Sequence, residues 1–252
     1  MSDLYAFTVG RNEEGRYLES FLENTAEWCD YHFFYDDQSD DETAYIASQY
    51  AETIVRPDGV CSFAENEGVF RGVAWRAFED ALHPQDGDWV FVIDCDEVVV
   101  ADSRFNDLEV GPEREALLGL CDSIDVPYAV AFNEVFGHTA YGVPLVRMDG
   151  FWGQGFAPRL FVYHPGAVFA SGKVGVPAVP SYVQQQSGRW RQTADISVMH
   201  YGYVTQTDRQ TKYARYNGVQ GHGHDHIQSI LAKDMALVEW GGPVKEMLYG
   251  YC

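Results

Sequence analysis

Residues 89–97 read Trp-Val-Phe-Val-Ile-Asp-Cys-Asp-Glu, and this stretch decides the fold. Trp89–Ile93 is the most apolar run in the first half of the chain. A short, uninterrupted apolar run reads as a central strand buried on both faces. It breaks into Asp94-Cys95-Asp96, two carboxylates in D-x-D spacing, with Glu97 as a third nearby. Ligands of open α/β sheets bind beyond the carboxyl ends of the strands. Carboxylates at such an end can hold Mg²⁺ or Mn²⁺ while the ion bridges a diphosphate. An acidic turn in an acidic protein is the plainer reading of a lone D-x-D, and its position after an apolar strand weighs against that.

Working outward, strand-like and helix-like segments alternate over the first hundred residues, as in a mostly parallel sheet. Leu4–Val9, Tyr31–Tyr35 and Glu52–Arg56 read as strands. Glu13–Ala26, Ala44–Tyr50 and Glu67–Leu82 read as helices, with Ser39 or Asp40 capping the second. The first strand ends in Arg11-Asn12-Glu13-Glu14 and the second in Asp36-Asp37. Three strand ends carrying polar residues suit a nucleotide crevice, although Asn12 and Asp40 equally suit helix capping. Beyond residue 110, Pro112–Leu120 reads as a helix, and Val126–Phe132, Leu145–Arg147, Arg159–Tyr163 and Ile196–Met199 as strands. Helices are expected near 208–216 and 226–240.

The 252 residues suffice for one large domain with a substantial core. The net charge is −21 and lies unevenly. Residues 1–146 hold 7 Lys+Arg against 31 Asp+Glu, a net of −24; residues 147–252 hold 10 against 7, a net of +3. Such a field repels nucleic acid and anionic membrane, so bulk nucleic-acid binding is not expected. A phosphate-bearing ligand would need a cation among these acids. No apolar run approaches the roughly 20 residues of a transmembrane span, no secretory signal is visible, and five scattered cysteines suggest a reducing, cytoplasmic setting.

The runs TVGRNEEGRYLESFLE, FFYDDQSDDETAYIA and DWVFVIDCDE, in this order and spacing, resemble family 2 glycosyltransferases. That resemblance implies an α/β fold of GT-A (Rossmann-like) type, a mostly parallel sheet flanked by helices with a C-terminal acceptor-side region. It divides one continuous domain into a nucleotide-sugar-binding half, 1–110, and an acceptor-side half with C-terminal helices, 111–252. It implies a metal-dependent, inverting transfer from a nucleotide-diphosphate sugar to a hydroxyl-bearing acceptor, with Mn²⁺ or Mg²⁺. The acceptor stays open: glycan, protein, lipid-linked sugar or modified nucleobase. By the same resemblance Arg11 lies beside the base, Asp37 contacts it and Arg71 belongs to a helix that contributes a nucleotide contact. Asp94 falls toward ribose or metal-bound water, and Asp96 toward the metal.

The second half is less close. APRLFVYHPG, SGK and ISVMHYGYVTQTDRQTKYARY look like subgroups with an R-L-F strand and an H-x-G-Y…K segment. There His200 would be a metal ligand or diphosphate contact; a buried core histidine is the competing reading. Lys212, Arg215 and Lys173 are candidates for the leaving phosphates, or simply solvated side chains. The frequent Glu-Asp dipeptide of the family's acceptor region is absent, which leaves Asp149 and Glu134 as candidate bases, Asp149 slightly preferred. Phe151, Trp152 and Phe156 suit a sugar-stacking wall or a core. His222, His224 and His226 suggest a mobile lid or, less readily, a metal site. Two other classes fit the same residues: a nucleotidyltransferase acting on sugar phosphates, and a non-catalytic sugar- or protein-binding module.

Overall fold

A computed structural model describes residues 2–101, 112–121, 127–149, 155–172, 176–217, 228–232 and 234–240. In chain order the first half runs β1 (Leu4–Gly10), α1 (Leu18–Trp28), β2 (Tyr31–Asp36), α2 (Thr43–Ala47), β3 (Glu52–Val55), α3 (Glu67–Leu82), β4 (Trp89–Val92) and β5 (Glu97–Ala101). The second runs α4 (Pro112–Cys121), β6 (Tyr128–His138), β7 (Pro144–Arg147), β8 (Gly155–Val162), α5 (Ser181–Gln185), β9 (Arg191–His200), α6 (Gln206–Tyr216) and β10 (Leu237–Glu239).

The expected mixed α/β architecture is present. The strands are ordered β10-β7-β6-β8-β4-β1-β2-β3, with β9 bridging β5 and β6. The run β3-β2-β1-β4 is parallel throughout. The second half continues the sheet through β8, antiparallel to both β4 and β6.

Helices cover both faces, and side-chain alternation along the strands shows why. Leu4 and Ala6 of β1, with Trp89 and Phe91 of β4, pack on Phe21, Leu22 and Trp28 of α1 and Leu117 of α4. The intervening Tyr5, Phe7, Val90 and Val92 pack on Phe70, Trp75 and Phe78 of α3. A period of two sends successive residues of a strand to opposite faces. A strand covered on both sides must therefore be apolar at every position, as β4 is.

Three local expectations are corrected. The first helix starts at Leu18 rather than Glu13. Asn12 takes φ 55° and Gly15 φ 68°, and the N–H groups of Asn12, Glu13 and Glu14 donate to Ser39 and Thr43 side chains across the strand ends. Positive φ at Asn12 and Gly15 lies outside the helical region, so the regular helix begins only beyond them. Ser39 and Asp40 do not cap α2, which begins at Thr43. The Ser39 N–H is held by Asp36 at 2.8 Å and the Asp40 N–H by Asn12 at 3.0 Å, which staples the first two loops together. Finally, residues 237–239 lie in a strand rather than a helix, because β7 offers an antiparallel edge that they complete.

Within β2, His32 is buried, its Nε2 3.0 Å from Thr8 Oγ1 and its Nδ1 without a hydrogen-bond partner among the described residues. Burial lowers its pKa to about 3. The folded pKa lies below the unfolded value of about 6.5. The neutral ring's contribution to stability is therefore complete above pH 6.5 and is lost as pH falls toward 3. Between pH 7 and pH 5 we expect a loss of about 2 kcal/mol from this group, read as a lower urea midpoint. His32→Phe should flatten that slope; an undiminished acid loss in the variant would refute the assignment.

Candidate functional site

The parallel strands end on one edge, and the polar residues there arrive in a fixed order: Asp94–Asp96 after β4, Arg11 after β1, Asp37 after β2, Arg56 after β3. In the turn after β4, Asp94 and Asp96 are half-buried while Cys95 and Glu97 are buried. Cys95 packs against Gly10, where an added Cβ would fall 2.6 Å from its sulfur. Glycine at the end of β1 thus lets the β4 turn lie close. Burial raises the Cys95 thiol's pKa well above its ordinary value.

Glu97 secures this turn from below. It accepts the Asp94 N–H at 2.9 Å and, through its other oxygen, Arg159 Nη2 of β8 at 2.5 Å. The Arg159 guanidinium also lies over the Phe132 ring, 5.2 Å from its centroid. Burial pushes the Glu97 carboxyl up, and Arg159 opposes that.

Above the turn, four of the sequence candidates converge. Lys212 Nζ of α6 donates to Asp96 Oδ2 at 3.1 Å and lies 2.7 Å from His200 Nε2. His200 Nε2 is itself 3.3 Å from Asp96 Oδ2, and its Nδ1 bonds Glu134. Strand register explains the meeting. Glu97, His200 and Glu134 stand side by side across β5, β9 and β6, and the Tyr201 N–H donates to Asp96 O at 2.7 Å.

Electrostatics follow from this packing. Burial disfavours a charged Asp96, yet Lys212 and His200 overcome it and hold the carboxyl well below the usual carboxylate range. For His200 burial and Lys212 work against the charged ring, while Glu134 and Asp96 favour it. The Lys212 contact sets a further condition: an ammonium N–H donates to Nε2 only when that nitrogen carries a lone pair. With Lys212 in place, the ring proton belongs on Nδ1, facing Glu134. Glu13 is also within electrostatic reach of Asp96; burial pushes its carboxyl up to about 7, against the pull of Arg16.

The lysine is delivered by a fixed helix. Thr205 and Asp208 form a capping box at the start of α6. Asp208 also accepts Arg16 Nη2 at 3.2 Å, and Arg209 Nη1 donates to the Tyr203 and Val204 carbonyls. The ring of Tyr203 covers the Lys212 ammonium, 4.7 Å from centroid to nitrogen.

At the other end of the edge an open cavity of about 580 Å³ is lined by Arg11, Arg56, Cys61, Ser62, Glu65 and Asn66, among others. Asp37 shapes it from behind. Its carboxylate is buried, with one oxygen on Arg56 Nε and the other accepting the Phe63 N–H at 3.1 Å. Both oxygens are used in holding the 56–63 loop. Arg71 is buried beside Phe63, paired with Glu67 at 2.9 Å, and its Nη1 has no hydrogen-bond partner among the described residues.

The other candidates lie elsewhere. Asp149 grips Arg147 through both oxygens, at 2.7 and 2.8 Å, and accepts the Ala236 N–H at 3.0 Å. Those bonds, with Arg147 first, hold its carboxyl below the ordinary value. A carboxylate so engaged is a poor base. Arg215 is exposed on α6, and Phe156 is half-buried on β8. Lys173, Phe151, Trp152 and the histidines at 222, 224 and 226 lie outside the described residues.

The sequence reading gave no role to Arg159, Gly202 or Arg16. The first two sit inside the R-L-F and H-x-G-Y segments, which was the available signal.

The donors do not fit a metal centre as placed. Asp94, Asp96 and His200 do not close around one point. Among the described residues no group of three or more His, Cys, Asp or Glu is arranged to hold a metal ion. The point shared by Asp96 and His200 carries the Lys212 ammonium. No helix among the described residues is long and apolar enough to cross a membrane.

No family model matches the chain, and no curated protein matches it. Among solved structures, 4-diphosphocytidyl-2C-methyl-D-erythritol synthase is 16% identical with a TM-score of 0.38, over 64% of this chain and 76% of that one. Mannosyl-3-phosphoglycerate synthase from Rubrobacter xylanophilus is 18% identical with a TM-score of 0.34, over 53% of this chain and 41% of that one. Glucosyl-3-phosphoglycerate synthase from Mycobacterium tuberculosis, solved with Mn²⁺, UDP-glucose and phosphoglyceric acid, is 20% identical with a TM-score of 0.33, over 54% and 45%. The chain spans less than half the length of either phosphoglycerate synthase.

Proposed function

We propose that this protein transfers a sugar from a nucleotide-diphosphate sugar to a hydroxyl-bearing acceptor, the activity implied by its resemblance to family 2 glycosyltransferases. One observation carries the reading. A polar cavity and a half-buried, mixed-charge cluster occupy the same carboxyl edge of the parallel strands, the edge where such sheets take their ligands. From β3 to β4 is three strand spacings, about 14 Å, a span that suits a nucleoside followed by two phosphates.

In this reading the base enters the cavity between Arg11 and Arg56, in a wall that Asp37 holds in shape. The diphosphate lies along the β1 and β4 ends, where Lys212 and Arg16 oppose the negative charge that grows on the leaving group. Glu134 takes the proton of the acceptor hydroxyl as that oxygen attacks the anomeric carbon. One base and a direct displacement invert the anomeric configuration.

The test is a thermal-shift panel of UDP, GDP, CDP, ADP and dTDP, followed by product analysis with the matching nucleotide sugar. Ligand at about 100 times its Kd stabilises the folded state by about 2.7 kcal/mol, hence by roughly 5 °C or more for a chain of this length. Nucleoside diphosphate should accumulate. Release of pyrophosphate instead would make the protein a nucleotidyltransferase, and a panel with no shift would overturn the reading.

A further inference from the structure

We infer that Lys212 is a built-in cation: its ammonium carries, at Asp96 and His200, the positive charge that a divalent ion would otherwise bring to a bound diphosphate. The diphosphate part of this inference rests on the nucleotide-sugar reading above; the occupancy of the Asp96–His200 point does not.

Four observations support it. The ammonium makes the contacts a metal would make there, one to a carboxylate oxygen at 3.1 Å and one to an imidazole nitrogen at 2.7 Å. His200 is correspondingly set for a cation at Nε2, since Glu134 takes the other ring nitrogen. The backbone makes room for this contact: a Cβ on Gly202 would collide with both Lys212 Nζ and Asp96 Oδ2. Last, α6 is anchored at its start by its capping box and by the Arg16–Asp208 pair, so the lysine projects from the middle of a fixed helix.

The alternative ion is poorly served. Mg²⁺ and Mn²⁺ fill about six positions, several of them with water, so Asp96 and His200 could share such an ion only with the ammonium gone. A divalent ion entering there also meets an ammonium. One positive charge from within the chain, with Arg16 nearby, gives a diphosphate a counter-charge among 38 acidic residues without any ion being bound first.

Removal of the lysine should therefore create metal dependence. Manganese EPR reports binding directly, without any turnover. Wild type mixed with MnCl₂ should leave the free-ion signal as in buffer. Lys212→Met should bind one Mn²⁺ per chain, and the double variant Lys212→Met/Asp96→Asn should lose it again.

Calorimetry with whichever of UDP, GDP, CDP, ADP or dTDP binds gives the second reading. Wild-type affinity should be unchanged by EDTA. Affinity in Lys212→Met should fall about tenfold in EDTA and return with Mn²⁺. Far-UV circular dichroism checks folding, with Lys212→Gln as the substitute should methionine fail.

Asp96-dependent Mn²⁺ binding by wild type would overturn the inference. So would the absence of Mn²⁺ binding in both folded Lys212 variants, since Asp96 and His200 would then be no cation site. If no nucleotide binds any variant in either condition, the nucleotide-sugar reading falls, and the EPR result still decides what occupies the point.

Discussion

Glu134→Gln is expected to lower kcat by about 10³-fold, within the usual range for loss of a general base, while nucleotide affinity stays unchanged. The amide keeps the length of the side chain and a carbonyl that can accept the His200 Nδ1–H, so the ring keeps its place. It cannot accept a proton at neutral pH. The native Glu134 side chain is 18% exposed, enough to face an acceptor hydroxyl yet dry enough for its charge to count. Two measurements check this: turnover with the identified nucleotide sugar, and calorimetry with the nucleoside diphosphate. A drop in kcat of less than tenfold, or a parallel loss of nucleotide affinity, would show that Glu134 merely supports the fold of the site. A spectroscopic sign accompanies it. Glu134 is the foremost influence raising the His200 pKa above its ordinary value, so the ring should titrate at lower pH in the variant, visible by NMR of the imidazole protons.

The second large effect concerns stability. Arg159→Met should cost about 3–5 kcal/mol, the range for breaking one side of a buried ion pair. That corresponds to a melting temperature lower by roughly 10 °C. The Arg159 and Glu97 side chains are 9% and 1% exposed. Methionine fills much of the space and can still lie against Phe132, so the loss is one of charge pairing rather than volume. It leaves Glu97 as an unpaired carboxylate beneath the Asp94–Asp96 turn.

Without Arg159, burial raises the folded pKa of Glu97 further above its unfolded value. The variant's folded state then holds the proton more tightly than wild type does, so the penalty relative to wild type grows as pH rises above the wild-type folded pKa of about 7. It should be smaller at pH 5 than at pH 8. Arg159→Met/Glu97→Gln should recover part of the stability because it removes the stranded charge. A single variant within about 1 kcal/mol of wild type, or a double variant no better than the single, would show the pair to be dispensable.

How far the sequence reached is clearest at β4. An unbroken apolar run ending in D-x-D placed a buried strand and its polar tip, because covering a strand on both faces leaves no other composition. The first helix was readable from Leu18, Phe21 and Leu22 but not its start, since Asn12 and Gly15 take positive φ in a loop tied to Ser39 and Thr43, about thirty residues away. Leu237–Glu239 misled for the same kind of reason: three residues pair with an edge that local periodicity does not contain.

At the candidate site, the sequence supplied Asp96, His200, Lys212 and Glu134 as separate candidates with separate purposes. Asp149 was slightly preferred to Glu134 as a base, because nothing local shows Arg147 and the Ala236 N–H taking its oxygens.

The sequence by itself determined the alternation of strands and helices in the first half and the acidity of the strand ends. Those are properties of neighbouring residues, fixed by hydrophobic period and by charge. Only the tertiary structure placed the Lys212 ammonium against Asp96 and His200. Lys212 reaches Asp96 across 116 positions of chain, and Glu134 reaches His200 across 66. Such meetings depend on the pairing of β6, β9 and β5 and on the seating of α6, and strand register is set by the whole sheet.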